Sequence, residues 1–167
     1  ITDNDLNDLD VSKNTKLTSL TCGKNSLTSL DFTENSELTE LTGSDNPLIA
    51  LDVSKNIKLN ILNVGSTALT SLDVSNNTEL TRLYCYSYNG QLAALDVSKN
   101  TKLTYLNCNY NPLGVIDVSK NTELLELHLV STQLAILDIT KCTKLTRLEC
   151  QLNSLSTLNV TNNTELT

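Results

Sequence analysis

Apolar residues recur along the chain with a period of 21 residues. The marker is an apolar-Asp-apolar triplet, such as Leu51-Asp52-Val53, which returns in each unit. One interval is longer, with 23 residues between Leu72 and Leu95, so two residues are inserted near 86–91. Self-similarity at one short period is the signature of a repeat architecture. We therefore expect residues 1–167 to form a single array of about eight repeats with no visible caps. The triplets begin at Leu9, Leu30, Leu51, Leu72, Leu95, Ile116, Leu137 and Leu158.

Each unit contains two stretches in which apolar and polar residues alternate. Leu20 and Cys22 are separated by one polar residue, which is the pattern of a short strand with one buried face. The triplet is a second stretch of the same period, and turn-forming residues lie between the two. A unit of this length leaves no room for a long helix. The pattern predicts a right-handed solenoid with one parallel β-sheet per side, about eight turns and little or no α-helix.

The order of the apolar positions resembles a known repeat. One unit reads Leu17-x-x-Leu20-x-Cys22-x-x-Asn25-x-Leu27, which is similar to the leucine-rich repeat. The short unit, the cysteine in the strand and the phrase LDVSKNTKLT resemble bacterial internalins of the internalin J type. The resemblance covers the whole chain and implies adhesion to host or neighbouring surfaces. It concerns scaffold positions, so it assigns no ligand-binding residue.

Stacking of the repeats turns equivalent residues into columns. Two columns consist mainly of asparagine, whose amide can satisfy turn backbone in its own and the neighbouring repeat. The alternative is a polar binding strip, and we favour the structural interpretation. The first column is Asn4, Asn25, Asn46, Thr67, Asn111, Thr132 and Asn153, and the second is Asn14, Asn35, Asn56, Asn77, Asn100, Asn121, Cys142 and Asn163.

The five cysteines are predicted to be free thiols. Four of them, at positions 22, 85, 108 and 150, occupy an apolar position of the strand, where cysteine behaves as a small hydrophobic residue. Cys142 replaces a turn asparagine. No Cys-x-x-Cys pair is present, which disfavours a zinc site, and Cys85 and Cys108 alone lie in adjacent repeats. The sequence therefore predicts no metal and no cofactor.

Charged residues form two further columns. Every triplet but the last contains an aspartate, and we interpret this column as a solvated face, with a calcium ladder as the alternative. The other column alternates strictly in sign, which favours correct register between repeats. Its members are Lys16, Glu37, Lys58, Glu79, Lys102, Glu123, Lys144 and Glu165.

Variation concentrates in the later repeats. The outward strand positions and the loop just after each strand carry small polar residues at first. From the fourth full repeat they contain all five tyrosines, both arginines and the one histidine. Tyrosine and arginine are enriched at the centres of protein interfaces, and tyrosine also stacks on sugar rings. The alternative is drift on an exposed face. The candidate partner-binding residues are Arg82, Tyr84, Tyr86, Tyr88, Tyr105, Asn107, Tyr110, Glu126, His128, Arg147 and Glu149.

Composition narrows the function. A net charge of −7 disfavours nucleic-acid binding, no apolar run could span a membrane, and no catalytic motif is present. We expect a non-enzymatic binding or adhesion module, extracellular or at the cell surface, which recognises a protein or glycan through its concave face. The alternative is a structural spacer or filament that assembles head to tail, with Glu165 next to Lys16 of another copy. A threonine face that orders ice is a weaker third hypothesis.

Overall fold

A computed structural model describes all residues from Ile1 to Thr167, and its regular elements are seven short β-strands. Each strand places its central leucine in the core and directs its two flanking residues outward. This is the alternation that the sequence pattern predicts. The strands are β1 (Ser19–Thr21), β2 (Glu40–Thr42), β3 (Ile61–Asn63), β4 (Arg82–Tyr84), β5 (Tyr105–Asn107), β6 (Glu126–His128) and β7 (Arg147–Glu149).

The seven strands form one parallel sheet in chain order, from β1 at one edge to β7 at the other. The register places each central leucine beside the next, as in the pairing of Leu83 with Leu106. The two-residue insertion lies between these strands and leaves their register unchanged, so the loop absorbs it. Six complete turns separate β1 from β7. The expected eight turns also counted the partial turns at both ends.

The predicted second sheet is absent, and that part of the prediction is wrong. No backbone hydrogen bond joins the triplets of neighbouring turns. Instead, each aspartate bonds within its own turn, as where Asp52 Oδ1 accepts the amide of Ser54 at 2.8 Å. Asparagine and aspartate side chains favour such local turns over a ladder. The alternation in the triplet therefore marks an exposed turn residue between two buried ones.

The interior is a single apolar core of 36 buried residues that runs the length of the array. The strand leucines of β1 to β6 and the last residues of the first seven triplets belong to it, for example Leu83 and Val74. Because each repeat buries its apolar face against its neighbours, the array is stable only as a stack. The structure contains no helix of the length and hydrophobicity that crossing a lipid bilayer requires.

The asparagine columns satisfy buried backbone carbonyls, as the structural interpretation predicts. In the second column, Asn100 Nδ2 donates to the carbonyls of Val74 and Asn77, both at 2.9 Å. The Oδ1 atom of Asn100 is buried without a partner, so the donor is the useful half of the amide. At Cys142 the thiol faces the same two positions, with Sγ 3.6 and 3.7 Å from the carbonyl oxygens of Val118 and Asn121.

All five cysteines are free, which confirms the prediction from the sequence. The closest pair is Cys85 and Cys108, whose sulfurs lie 3.5 Å apart, well beyond the roughly 2 Å of a disulfide. The pKa of Cys108 is raised well above its ordinary value by its hydrogen bond with Cys85 and by burial. Burial likewise raises the pKa of Cys142 to about 11. These thiols are therefore protonated at neutral pH and are poor nucleophiles.

The aspartate column predicts a loss of stability in acid. The pKa of Asp73 lies below its ordinary value, chiefly because its carboxylate accepts the backbone amide of Ser75. The six other triplet aspartates show the same lowered pKa. A group with a depressed folded pKa stabilises above its unfolded pKa, about 3.9, and loses that contribution as pH falls through the folded value. We expect the melting temperature to fall steeply below about pH 4.

Asn159 offers a matched control for this pH dependence. It occupies the triplet aspartate position of the last repeat, and its Oδ1 accepts the amide of Thr161 at 3.0 Å without carrying a titratable charge. A variant with Asp52, Asp73 and Asp96 changed to asparagine should melt below the parent at pH 7, because the neutral amide is a weaker acceptor, and should lose less stability in acid. Thermal melts by circular dichroism at a series of pH values measure the melting temperature at pH 7 and its decrease in acid. An unchanged acid slope would contradict the role of these carboxylates.

Candidate ligand-binding surface

Three aromatic rings form a continuous row across the outward face of the sheet. Tyr84, Tyr105 and His128 are the third, first and third residues of β4, β5 and β6. The ring centroids of Tyr84 and Tyr105 are 4.5 Å apart, and those of Tyr105 and His128 are 5.1 Å apart. Tyr84 and Tyr105, like Tyr105 and His128, are diagonal neighbours, since the register pairs Tyr84 with Asn107 and Tyr105 with Glu126. The rings therefore meet through the directions of their side chains. We call these three residues the strand-face row.

Carboxylates hold His128 at the end of the row. Its Nδ1 lies 2.8 Å from Glu149 Oε2, and its Nε2 lies 3.4 Å from Glu126 Oε2. Only 6% of His128 is exposed, whereas the sequence predicted an exposed ring. That expectation was wrong because the Tyr105 ring and both glutamates cover the imidazole. These contacts therefore fix the position of the His128 ring at the end of the row.

Glu149 connects the row to a cation. Its Oε1 accepts hydrogen bonds from Nε and Nη2 of Arg147 in the same strand, while its Oε2 faces His128. The hydrogen bond with His128, supported by that with Arg147, holds the pKa of Glu149 below its ordinary value. The carboxylate is therefore charged at neutral pH. Arg82, at the other end of the row, is exposed and has no ion pair.

Asn107 plays a largely structural part in this surface. Its Oδ1 accepts the amide of Asn109 at 3.1 Å, which fixes the start of the following loop. Its Nδ2 lies 3.5 Å from the hydroxyl of Tyr105, at the limit of a hydrogen bond. Asn107 therefore positions Tyr105 and the loop.

The remaining predicted residues lie away from the strands. Tyr86, Tyr88 and Tyr110 belong to the loops that follow β4 and β5. The rings of Tyr88 and Tyr110 stack with their centroids 4.8 Å apart, and Tyr86 packs against Gly65. The pKa of Tyr86 is raised, chiefly by burial. The predicted site thus separates into the strand-face row and a loop-edge pair, Tyr88 with Tyr110.

The sequence analysis missed a groove beside the loop-edge pair. The groove has a volume of about 450 Å³ and is lined by Tyr88 together with Asp45, Pro47, Asn89 and Gln91, among others. The two-residue insertion was the available signal. It could not show that residues of two earlier turns complete the groove.

Comparison with solved structures places the repeat in a family. The functional domain of InlJ from Listeria monocytogenes, whose description notes a cysteine ladder, superposes with a TM-score of 0.83 at 37% sequence identity. The match covers 98% of this chain and 41% of that one. Both chains carry cysteines in the repeat, and here Cys22, Cys85, Cys108 and Cys150 share one position of the unit. The chain is a leucine-rich repeat of the internalin type.

Other leucine-rich repeats show the same fold at lower identity. The internalin InlF of Listeria monocytogenes superposes with a TM-score of 0.77 at 24% identity, over 95% of this chain and 49% of that one. The ectodomain of the plant receptor kinase GASSHO1/SCHENGEN3 from Arabidopsis thaliana gives a TM-score of 0.86 at 23% identity, over 100% of this chain and 23% of that one. No protein-family model and no curated protein matches the sequence. By the coverages of these matches, the internalin-type chain spans less than half the length of each of the three structures.

Proposed function

We propose that this internalin-type repeat is a non-enzymatic binding module that recognises a protein partner through its strand-face row. The observation that carries the proposal is the contact of Tyr84, Tyr105 and His128 between diagonal positions of adjacent strands, where they are the only outward aromatic side chains. The same positions in β1 and β2 carry serine, threonine and glutamate. Aromatic anchors at one place on an otherwise bland face are typical of a binding hot spot.

The surroundings of the row favour a protein partner. Arg82 and Arg147 supply exposed cations, while Glu126 and Glu149 supply anions, on strands β4, β6 and β7. Mixed charge around an aromatic centre matches the polar rim and buried core of a protein interface. The rings are already held by contacts with one another, so binding requires little further loss of side-chain entropy. The plant receptor ectodomain is described in complex with Casparian strip integrity factor 2, which supports recognition by this fold.

Location and partners follow from the same features. We place the chain in a secreted or surface-exposed bacterial protein, since the internalin InlJ is its relative at 37% identity. We assign the sheet to the concave face, where its outward side chains would surround a partner. A net charge of −7 argues against a nucleic-acid ligand at this surface.

The experiment is a screen of the labelled chain against an array of purified extracellular proteins. The double variant Tyr84→Ser and Tyr105→Ser removes two of the three rings and keeps hydroxyl groups at both positions. We expect it to weaken binding at least about tenfold, because hot-spot aromatics commonly contribute 2 kcal/mol or more, roughly 30-fold in affinity. Surface plasmon resonance with the protein that the screen identifies measures the change in affinity.

The matched control is Thr21→Ser and Thr42→Ser, which alters outward residues of β1 and β2 outside the row. It should bind as the parent does. Melting curves of both variants should overlay the parent, because neither change enters the core. A failure to bind any array protein, or full binding by the double tyrosine variant, would contradict the proposed function.

A further inference from the structure

The groove at the loop edge is separate from the strand-face row. Loop residues of three successive turns form it: 45–47, 66–68 and 87–91. It is an open groove of about 450 Å³, so a ligand bound there would keep part of its surface in water. A regular turn at this place would lack the two inserted residues, so the insertion creates the wall at 87–91.

Backbone contacts hold the inserted loop in place. Gly90 donates its amide to the carbonyl of Ser87 at 2.7 Å, which closes a tight turn with Tyr88 and Asn89 at its tip. Ser87 then joins this turn to both neighbours. Its Oγ donates to the carbonyl of Thr67 at 3.1 Å, and its amide donates to the carbonyl of Asn109 at 3.1 Å. The groove wall is therefore preformed.

Tyr88 presents one ring face toward the groove. Tyr88 is 76% exposed as a residue, and the ring of Tyr110 in the following turn stacks on its ring with an interplanar angle of 29°. The groove lies on the side of the preceding turns, so its occupant meets the opposite face of Tyr88. A ring that is exposed and yet held by stacking is a platform for a flat apolar surface.

Three polar side chains near this platform have no partner within the protein. Asp45, Asn89 and Gln91 line the groove and are exposed, and none of their side-chain atoms forms a hydrogen bond. Amides and a carboxylate together offer both donors and acceptors in planar pairs. No lysine or arginine lines the groove, which disfavours a phosphate or other anion. The few aliphatic contacts, Pro47 and Ala68, disfavour a wholly apolar ligand.

From this arrangement we infer that the loop-edge groove binds a neutral saccharide. One face of a pyranose ring carries C–H groups that pack on Tyr88, while its hydroxyl groups exchange hydrogen bonds with Asp45, Asn89 and Gln91. The internalin-type chain would then carry two independent recognition surfaces, a protein-binding sheet face and a saccharide-binding loop edge.

The test uses lactose, cellobiose and N-acetylglucosamine with the intact chain. Saturation-transfer difference NMR detects contact with the sugar, and amide chemical shifts locate it. We expect a dissociation constant on the order of 1 mM for at least one sugar, with shifts centred on Asp45, Asn89 and Gln91. Glycerol, a polyol without a ring face, should cause no shifts there.

Two variants decide the assignment. Tyr88→Ala removes the platform from an exposed loop tip and should weaken saccharide binding at least about tenfold, with an unchanged melting curve. The double variant Tyr84→Ser and Tyr105→Ser should bind the saccharide normally, which separates this site from the proposed protein-binding row. Binding of none of the three sugars, equal binding of glycerol, or full binding by Tyr88→Ala would overturn the inference.

Discussion

Replacing Asn100 with alanine should lower the free energy of unfolding by about 2 kcal/mol. The Nδ2 group of Asn100 donates to the carbonyls of Val74 and Asn77 in the preceding turn, and the side chain is wholly buried. Val74 O also accepts the amide of Asn77, and Asn77 O accepts that of Leu80. Alanine would therefore remove the second hydrogen bond of each carbonyl, and each lost bond costs about 0.5 to 1.5 kcal/mol. Urea unfolding followed by circular dichroism measures the loss.

The chain supplies its own control for this substitution. Cys142 occupies the same column and directs a weak thiol donor at two carbonyls. Asn100→Cys should therefore lose less stability than Asn100→Ala, while Asn100→Asp, which removes the donor and buries a carboxylate, should lose at least as much. An alanine variant as stable as the parent, or a cysteine variant no better than alanine, would refute the donor role of the column.

Replacing Gly90 with alanine should destabilise the array by about 2 to 3 kcal/mol. A Cβ atom at this position would collide with Tyr110 O and Asn111 Oδ1, and would lie 2.8 Å from Ser87 O. Two of these atoms are backbone and the third belongs to a buried ladder asparagine that donates to Cys85 O at 2.8 Å. Asn111 Oδ1 accepts the amide of Leu92 at 3.3 Å, so its displacement would break a hydrogen bond between turns. Urea unfolding of the variant measures the effect.

Gly114→Ala separates this collision from backbone strain. Gly114 has a φ of 67°, and no heavy atom lies within 4 Å of a Cβ added there. Alanine at 114 should therefore cost about 1 kcal/mol, the ordinary penalty of the left-handed conformation. Equal losses at 90 and 114 would show that close approach is not the reason for glycine at 90.

The period of the sequence was sufficient to predict the sheet, its register and the core. Leu83 and Leu106 pair although 23 residues separate them, because alternation defines the buried face whatever the loop length. The same reasoning failed at Leu51-Asp52-Val53. There the alternation is equally clean, but Asp52 bonds to its own turn and no strand forms. Hydrophobic periodicity indicates which residues are buried. It does not show whether the backbone forms hydrogen bonds with the neighbouring turn or within its own turn.

The candidate surface was only partly predictable. Position in the repeat is enough to predict that Tyr84 and Tyr105 point outward. The burial of His128 depends on contacts from Tyr105, Glu126 and Glu149 in three different strands, and no single repeat contains that information. The groove beside Tyr88 depends on how the inserted loop meets earlier turns.

The alternating charge column shows a finer pattern than register alone. Each observed pair joins a glutamate to the lysine of the following turn, with nitrogen–oxygen distances of 2.6 Å. No such pair joins Lys58 to Glu79 or Lys102 to Glu123. The column therefore divides the array into two-repeat blocks. These side chains are about half exposed, so each pair contributes at most about 1 kcal/mol.

The central claim is that the strand-face row binds a protein. Hydrogen–deuterium exchange on the complex with the protein that the screen identifies tests this claim most directly. The account predicts slower amide exchange, relative to the free chain, at residues 82–84, 105–107 and 126–128, with the loop at 87–91 unaffected. Protection confined to residues 19–21 and 40–42, or to the triplet turns on the opposite side of the core, would contradict it.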